Sequence, residues 1–219
     1  MSRTLNVGFL VSGEGTTLDA LAELAAGGHL PVHIALVVSD RPHAPAIEKA
    51  RRRGLPTLVL PSRGVEPELW AQRLTSELTA RGVELVVLAG FLTILPPSWA
   101  ASWRGRAVNI HPSLLPLHGG RGYYGRKVHE AVLSSGDRQT GATVHLVTPD
   151  VDRGPTIAQE RIEVHPGDTP ESLRGRLHPI EVELLAATLQ RFADGSLPLP
   201  YPDRGLPPSG GRGPAGERL

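Results

Sequence analysis

The sequence predicts an α/β protein, a doubly wound and mostly parallel sheet that gains an antiparallel extension towards its C-terminal end. Three observations predict it. Short β-branched apolar runs alternate with amphipathic stretches of helical length through the first half of the chain. Those runs are apolar almost throughout, as strands covered on both faces must be. In the second half, two strand-like runs flank the turn-like PDVDRGP, which points to a hairpin or a bent antiparallel excursion. A chain of 219 residues, 40% of them hydrophobic, suffices for one such domain, or two very small ones, with a real core.

Taken in order, the expected strands are 5–11, 33–38, 56–60, 85–89 and 107–110, and the helices between them 17–26, 44–53 and 66–81. Leu18, Leu21, Ala22 and Ala25 share one face of the first helix, and Gly27-Gly28 supplies its stop. Right-handed crossovers then make the sheet doubly wound, with ligands at the carboxyl ends of its strands. Residues 111–126 are rich in Gly and Pro and have no period, and a loop of that length in a compact domain is usually functional. A helix is expected over 127–135 and strands over 143–147 and 156–164. From Pro170 to Ala193, apolar residues at Leu173, Leu177, Ile180, Leu184, Leu185, Leu189 and Phe192 mark a long helix. Pro179 inside it should kink or divide it. Residues 1–195 form the expected domain. Residues 196–219, with six Pro and five Gly, carry too little apolar content for a core and read as a mobile tail.

Composition excludes several functions. Twenty-three basic residues against 22 acidic ones leave a net charge of +1, and no run of like charge exceeds Arg51–Arg53. Neither a nucleic-acid groove nor a polybasic membrane patch is expected. With no cysteine there are no disulfides, thiolate metal sites or thiol nucleophile. The chain shows no 18-residue apolar run and no leader, so a cytoplasmic protein is expected. His111, His118, His129 and His145 lack metal-ligand spacing, so no metal is expected, and no G-x-S-x-G elbow is present.

Three segments carry chemistry. SGEGTTL (residues 12–18) leaves a strand and opens a helix, and its glycines and free helix amides suit a phosphate. A dinucleotide site with Asp40 on a ribose is the rival, although Leu18 stands where a third glycine would. In VNIHPSLLPLHGG (108–120), Asn109 and His111 lie two residues apart at a strand end, on one side, and can donate two hydrogen bonds to one oxyanion. TPDVDRGP (148–155) offers Asp150 and Asp152 in a turn. Turn aspartates usually bond backbone amides, but one that met His111 would favour imidazolium and raise its pKa.

These segments, with VVLAGFLTIL (86–95) and TGATVHLV (140–147), occur in the order and at the intervals of a known family. The chain resembles the phosphoribosylglycinamide formyltransferases, folate-dependent enzymes of purine synthesis, over residues 5–195. The resemblance implies the Rossmann-like formyltransferase fold and a catalytic trio of Asn109, His111 and Asp152. It implies phosphate contacts from Gly15, Thr16 and Thr17, and nucleotide contacts from His178 and Glu181. The formyl-folate pocket is implied at Leu92, Thr93, Ile94 and Leu95, with Asn109 and the turn Thr148, Pro149, Asp150, Val151 and Asp152, and Arg63 as a folate-glutamate contact. Thr93 stands where the family frequently has Arg, Thr16-Thr17 where its loop usually ends in Ser-Asn, and the loop 118–132 departs from the commoner version.

The implied reaction is transfer of the formyl group of 10-formyltetrahydrofolate, as co-substrate, to the amine of 5'-phosphoribosylglycinamide. It needs no metal and no covalent intermediate. Asn109 and imidazolium His111 would hold the oxyanion while Asp152 kept His111 charged. The implied partners are small molecules, with a homodimer as one assembly state. The alternatives are another formyl-folate-dependent transferase or hydrolase, and a non-catalytic nucleotide-binding protein.

Overall fold

The computed structural model describes residues 3–202. Seven strands form one sheet: β1 (Leu5–Val11), β2 (Val32–Ser39), β3 (Thr57–Val59), β4 (Leu85–Ala89), β5 (Ala107–His111), β6 (Gln139–Leu146) and β7 (Thr156–Glu163). Their order is β3-β2-β1-β4-β5-β6-β7, parallel from β3 to β5 and antiparallel across β5-β6-β7. The doubly wound sheet and its antiparallel extension are therefore as the sequence predicts. The direction of winding reverses between β1 and β4, so the loops that leave those two strands open a crevice at their carboxyl ends.

Helices cover both faces: α1 (Thr16–Ala26), α2 (Pro45–Arg52), α3 (Pro67–Ala80), α4 (Pro97–Ser102), α5 (Arg126–Ser134) and α6 (Pro170–Ala193). Strand alternation divides the core. Leu5, Val7, Phe9 and Val11 point to one cluster with Leu18, Leu21, Leu177, Leu185 and Leu189. Leu10, Leu36, Val38 and Val86 point to the other with Trp70, Leu74, Leu78 and Trp99. Each such side chain, fully buried, contributes roughly 1.5–3 kcal/mol.

The helix starts follow local chemistry. Glu66 accepts hydrogen bonds from the Glu68 and Leu69 amides ahead of Pro67, and Thr169 and Ser172 form a capping box ahead of Pro170. The short α4 has no counterpart in the sequence reading. Its six residues hold Trp99, which is buried and stacked on Trp103 with ring centroids 5.9 Å apart.

Two further differences have physical reasons. Pro179 does not divide α6, which runs unbroken for 24 residues. The ring removes one backbone donor, but Leu173 and Leu177 before it and Leu185, Leu189 and Phe192 after it are all buried, so both halves stay anchored to the sheet. The chain also stays in the core beyond residue 196. Leu197 and Tyr201 are buried, Tyr201 meets Phe192 edge-on at 6.2 Å, and its N–H donates to the Gly105 carbonyl at 2.7 Å. The rest of the expected tail, 203–219, lies outside the described residues. Among the described residues no helix is long and apolar enough to cross a membrane.

Candidate active site

The loop after β1 is fixed from two sides. Ser12 donates its N–H to the Gly90 carbonyl, and its hydroxyl accepts from the Leu92 N–H, which ties this loop to the one after β4. The carbonyls of Gly13 and Glu14 accept from the Ala46 N–H and from Lys49 Nζ on α2. Gly15 caps α1 in the left-handed region, φ 65°, with no side chain bonding the first helix amides. A Cβ there would lie 2.5 Å from that of Ala46, so close packing and backbone sign both demand glycine. The N-terminal amides of α1, beginning with Thr16 and Thr17, thus keep their free donors and the positive dipole end for an anion.

Asp40 is committed elsewhere. It accepts from the Ser12 hydroxyl at 2.6 Å and the Thr93 hydroxyl at 2.7 Å, and Thr93 in turn meets Ser62 at 2.8 Å. A carboxylate bound in this way does not hold a ribose, which removes the physical basis of the dinucleotide alternative.

The second half of the site is built on the β5-β6 ladder. Pairing sets Asn109 opposite His145 and His111 opposite Thr143, so these four side chains share one face. Asn109 Nδ2 donates to His145 Nε2 at 3.0 Å and lies 3.4 Å from Asp152 Oδ1. His145 Nδ1 donates to the Leu146 carbonyl at 2.8 Å, which sets its tautomer. His111 Nδ1 stands 3.6 Å from Asp152 Oδ2, and its Nε2 donates to the His118 carbonyl at 2.8 Å. The Gly120 N–H donates to Asp152 Oδ2 at 2.9 Å.

The turn 148–155 aims Asp152 at this cluster. Asp152 has a left-handed backbone, φ 55°, which is strained for a residue with a Cβ. Gly154 passes so close to β6 that a Cβ would meet the Leu146 carbonyl oxygen at 1.9 Å. Thr148 donates its hydroxyl to the Asp150 carbonyl and closes the turn.

The expectation of an imidazolium is corrected here. Burial is the largest influence on His111, which is 4% exposed, and lowers its pKa below the ordinary value. Asp152 and the His118 carbonyl pull upward without reversing the direction. The resting His111 is therefore neutral at neutral pH. Burial alone would raise Asp152, but the His145 and His111 rings beside it and the Gly120 amide together hold it below the usual carboxylate range. Asp152 is ionised.

A cavity of about 290 Å³ opens on the cluster. Leu92, Thr93, Ile94 and Leu95 form one wall, Thr148, Pro149, Asp150, Val151 and Asp152 another, and Asn109, His111 and His145 the floor. Gly120, Arg121, Tyr123 and Tyr124 complete it from the loop after β5. Arg63 is exposed and is not among these residues. Gly15 caps α1, Thr16 and Thr17 form its first turn, and His178 and Glu181 lie on α6, all outside the cavity lining. Burial pushes the Glu181 carboxyl up to about 7, against the opposing charge of Arg174.

Residues 5–189 match the family described as formyl transferase. The chain belongs to the formyl transferase family. One relative of this family member, the chloroplastic phosphoribosylglycinamide formyltransferase of Arabidopsis thaliana, is 35% identical over 90% of this chain and 70% of its own length. The Escherichia coli phosphoribosylglycinamide formyltransferase is 33% identical over 88% of this chain and 89% of its own. The crystal structure of glycinamide ribonucleotide transformylase 1 from Symbiobacterium toebii superposes with a TM-score of 0.83 at 35% identity, covering 89% of this chain and 90% of that one.

The sequence marks His145 only as one of four histidines without metal-ligand spacing, and does not mark Gly120 at all. A sequence signal for His145 does exist. It lies in the otherwise apolar strand TVHLV, in step with Thr143 by the two-residue alternation of a strand. Gly120 acts through its backbone, which leaves no mark on residue type.

Proposed function

We propose that this chain transfers the formyl group of 10-formyltetrahydrofolate to the amine of 5'-phosphoribosylglycinamide, giving the formylated nucleotide of de novo purine synthesis. The observation that carries the reading is the convergence of Asn109, His111 and Asp152 on one apolar cavity at the carboxyl edge of the sheet. The relatives' names supply the amine substrate, the sequence resemblance implies the formyl-folate donor, and two strand spacings, roughly 10 Å, separate β1 from β5. That span suits a phosphate on the α1 amides with its glycinamide amine at His111.

The reaction is acyl transfer by direct attack. The amine lone pair forms the new C–N bond to the formyl carbon, and the carbonyl pair moves onto oxygen. The Nε2–H of His111, now given to the His118 carbonyl, and the amide N–H of Asn109 are the donors that receive the oxyanion. Preorganised donors of this kind contribute roughly 3–4 kcal/mol each. A neutral imidazole suffices as donor. The proton lost by the amine passes by way of Asp152, directly or through water, to N10, and the C–N10 bond breaks as the carbonyl reforms. The products are a formylated amine and tetrahydrofolate.

Thr16 and Thr17 hold the phosphate, and His178 and Glu181 contact the nucleotide. Leu92, Ile94, Leu95 and the turn 148–152 hold the pterin. We place the reaction in the cytoplasm. Incubation of the protein with both substrates should yield formylated nucleotide and tetrahydrofolate in equal amounts. Formate release that ignores the amine substrate would instead mark a formyl-folate hydrolase, and no turnover at all a binding protein.

A further inference from the structure

The cavity holds one cation that the formyl transfer leaves unused. Arg121 is the single Lys or Arg among the residues that line it, and it makes no hydrogen bond or ion pair within the described residues. The carboxylates that line the same cavity are Asp150 and Asp152. Thr93 offers no cation, since its hydroxyl is held by Asp40 and Ser62, and Arg63 does not reach the cavity lining.

Apolar surface is concentrated at the same mouth. Of the seven large hydrophobic side chains exposed among the described residues, four edge this cavity: Leu92 and Ile94 on one wall, Tyr123 and Tyr124 on the other. Exposed apolar groups drawn together around a concavity mark a surface that a ligand covers. The tyrosines are positioned. Tyr123 packs edge-on against His118 with ring centroids 6.1 Å apart, and Lys127 lies over the Tyr124 ring at 4.8 Å. The backbone carbonyl of that same His118 receives the His111 Nε2–H.

We propose that Arg121 anchors the glutamate carboxylates of the folate co-substrate, and that Tyr123 and Tyr124, facing Leu92 and Ile94, grip its aromatic rings. This rests on the proposed function and extends it to residues that function does not use. A formyl-folate that sets its pterin in the pocket and N10, between pterin and benzoyl ring, towards His111 leaves its dianionic glutamate tail at the water-facing rim. An exposed guanidinium there pairs with carboxylates in bidentate fashion, and the pair weakens with salt.

The test is binding together with turnover. In Arg121→Ala the KM for 10-formyltetrahydrofolate should rise about 5- to 20-fold, the range of charge-assisted contacts at a partly solvated site, while that for the nucleotide amine stays put. By calorimetry, Arg121→Ala should bind tetrahydrofolate more weakly by the same factor. It should bind tetrahydropteroate, the same rings without glutamate, as the wild type does. Arg121→Lys should recover part of the loss. Raising salt should weaken tetrahydrofolate binding in the wild type more than in Arg121→Ala.

Equal affinity of wild type and Arg121→Ala for tetrahydrofolate would overturn the anchor while leaving the transferase reading intact. A wild type that makes no formylated product, yet loses tetrahydrofolate affinity on Arg121→Ala, would overturn the reaction and keep the anchor. Equal losses for tetrahydrofolate and tetrahydropteroate would also overturn it, since the tail would then not be what Arg121 holds.

Discussion

The two loop systems that make the site are built in opposite ways. The loop after β1 is held largely through its backbone, with the Ser12 hydroxyl added: carbonyls and amides of residues 12–15 meet α2 and the β4 loop, and packing on Ala46 demands glycine at 15. The region around β5, β6 and the turn 148–155 is held by side chains: Asn109, His111, His145 and Asp152 satisfy one another, and Asp152 bears a strained backbone to do so. In the proposed reaction the phosphate keeps one charge throughout, so a fixed cradle of amides suits it. A formyl oxygen changes charge along the way, so the groups that meet it must be able to exchange partners.

The largest expected effect separates the two regions outright. Asp152→Asn should lower turnover about 10³-fold, within the range of acid–base contributions, while circular dichroism and the melting temperature stay close to wild type. Near-normal turnover in that variant would remove Asp152 from the chemistry. The opposite break is Gly15→Val. Strain at φ 65° and the contact with Ala46 should lower stability in urea by on the order of 3 kcal/mol and raise the KM for the nucleotide amine. A variant as stable as wild type would mean that the cradle is not fixed by packing.

A smaller effect concerns Glu181. Its pKa in the folded chain, about 7, lies above the ordinary value of 4.5, so the folded state keeps a proton that the unfolded chain has lost. Stability is therefore greatest below pH 4.5 on this account and declines as pH rises towards 7. The loss should be on the order of 3 kcal/mol, and Glu181→Gln should abolish that slope in denaturation curves taken across the window. The smallest effect is spectroscopic. The His111 imidazole should titrate below 6.5 by NMR, and lower still in Asp152→Asn, which removes the charge that pulls its pKa upward. Titration above 6.5 would restore the imidazolium.

The two regions were also unequally legible. β1 and β4 could be delimited to the residue, because continuous apolar runs between glycine-bearing turns leave little choice. Asn109 and His111 were visible as a pair two residues apart at a strand end. That Asp152 reaches them was not, since the register of β5 on β6 and the bend of the 148–155 turn are set by tertiary pairing. His145 was hidden for the same reason. The charge of His111 is not legible, because the sequence reveals a neighbouring carboxylate but not the depth of burial that outweighs it. Leu197 and Tyr201 sit in a Pro-rich segment whose composition masked two well-placed anchors.

Those anchors reach further than their location suggests. Tyr201 bonds Gly105 at the turn that leads into β5, the strand whose other end carries Asn109 and His111. A protease that trimmed the chain from its end past Tyr201 would strip cover from Phe192 and release the root of that strand, so loss of Tyr201 should disarm the enzyme from the side opposite its mouth.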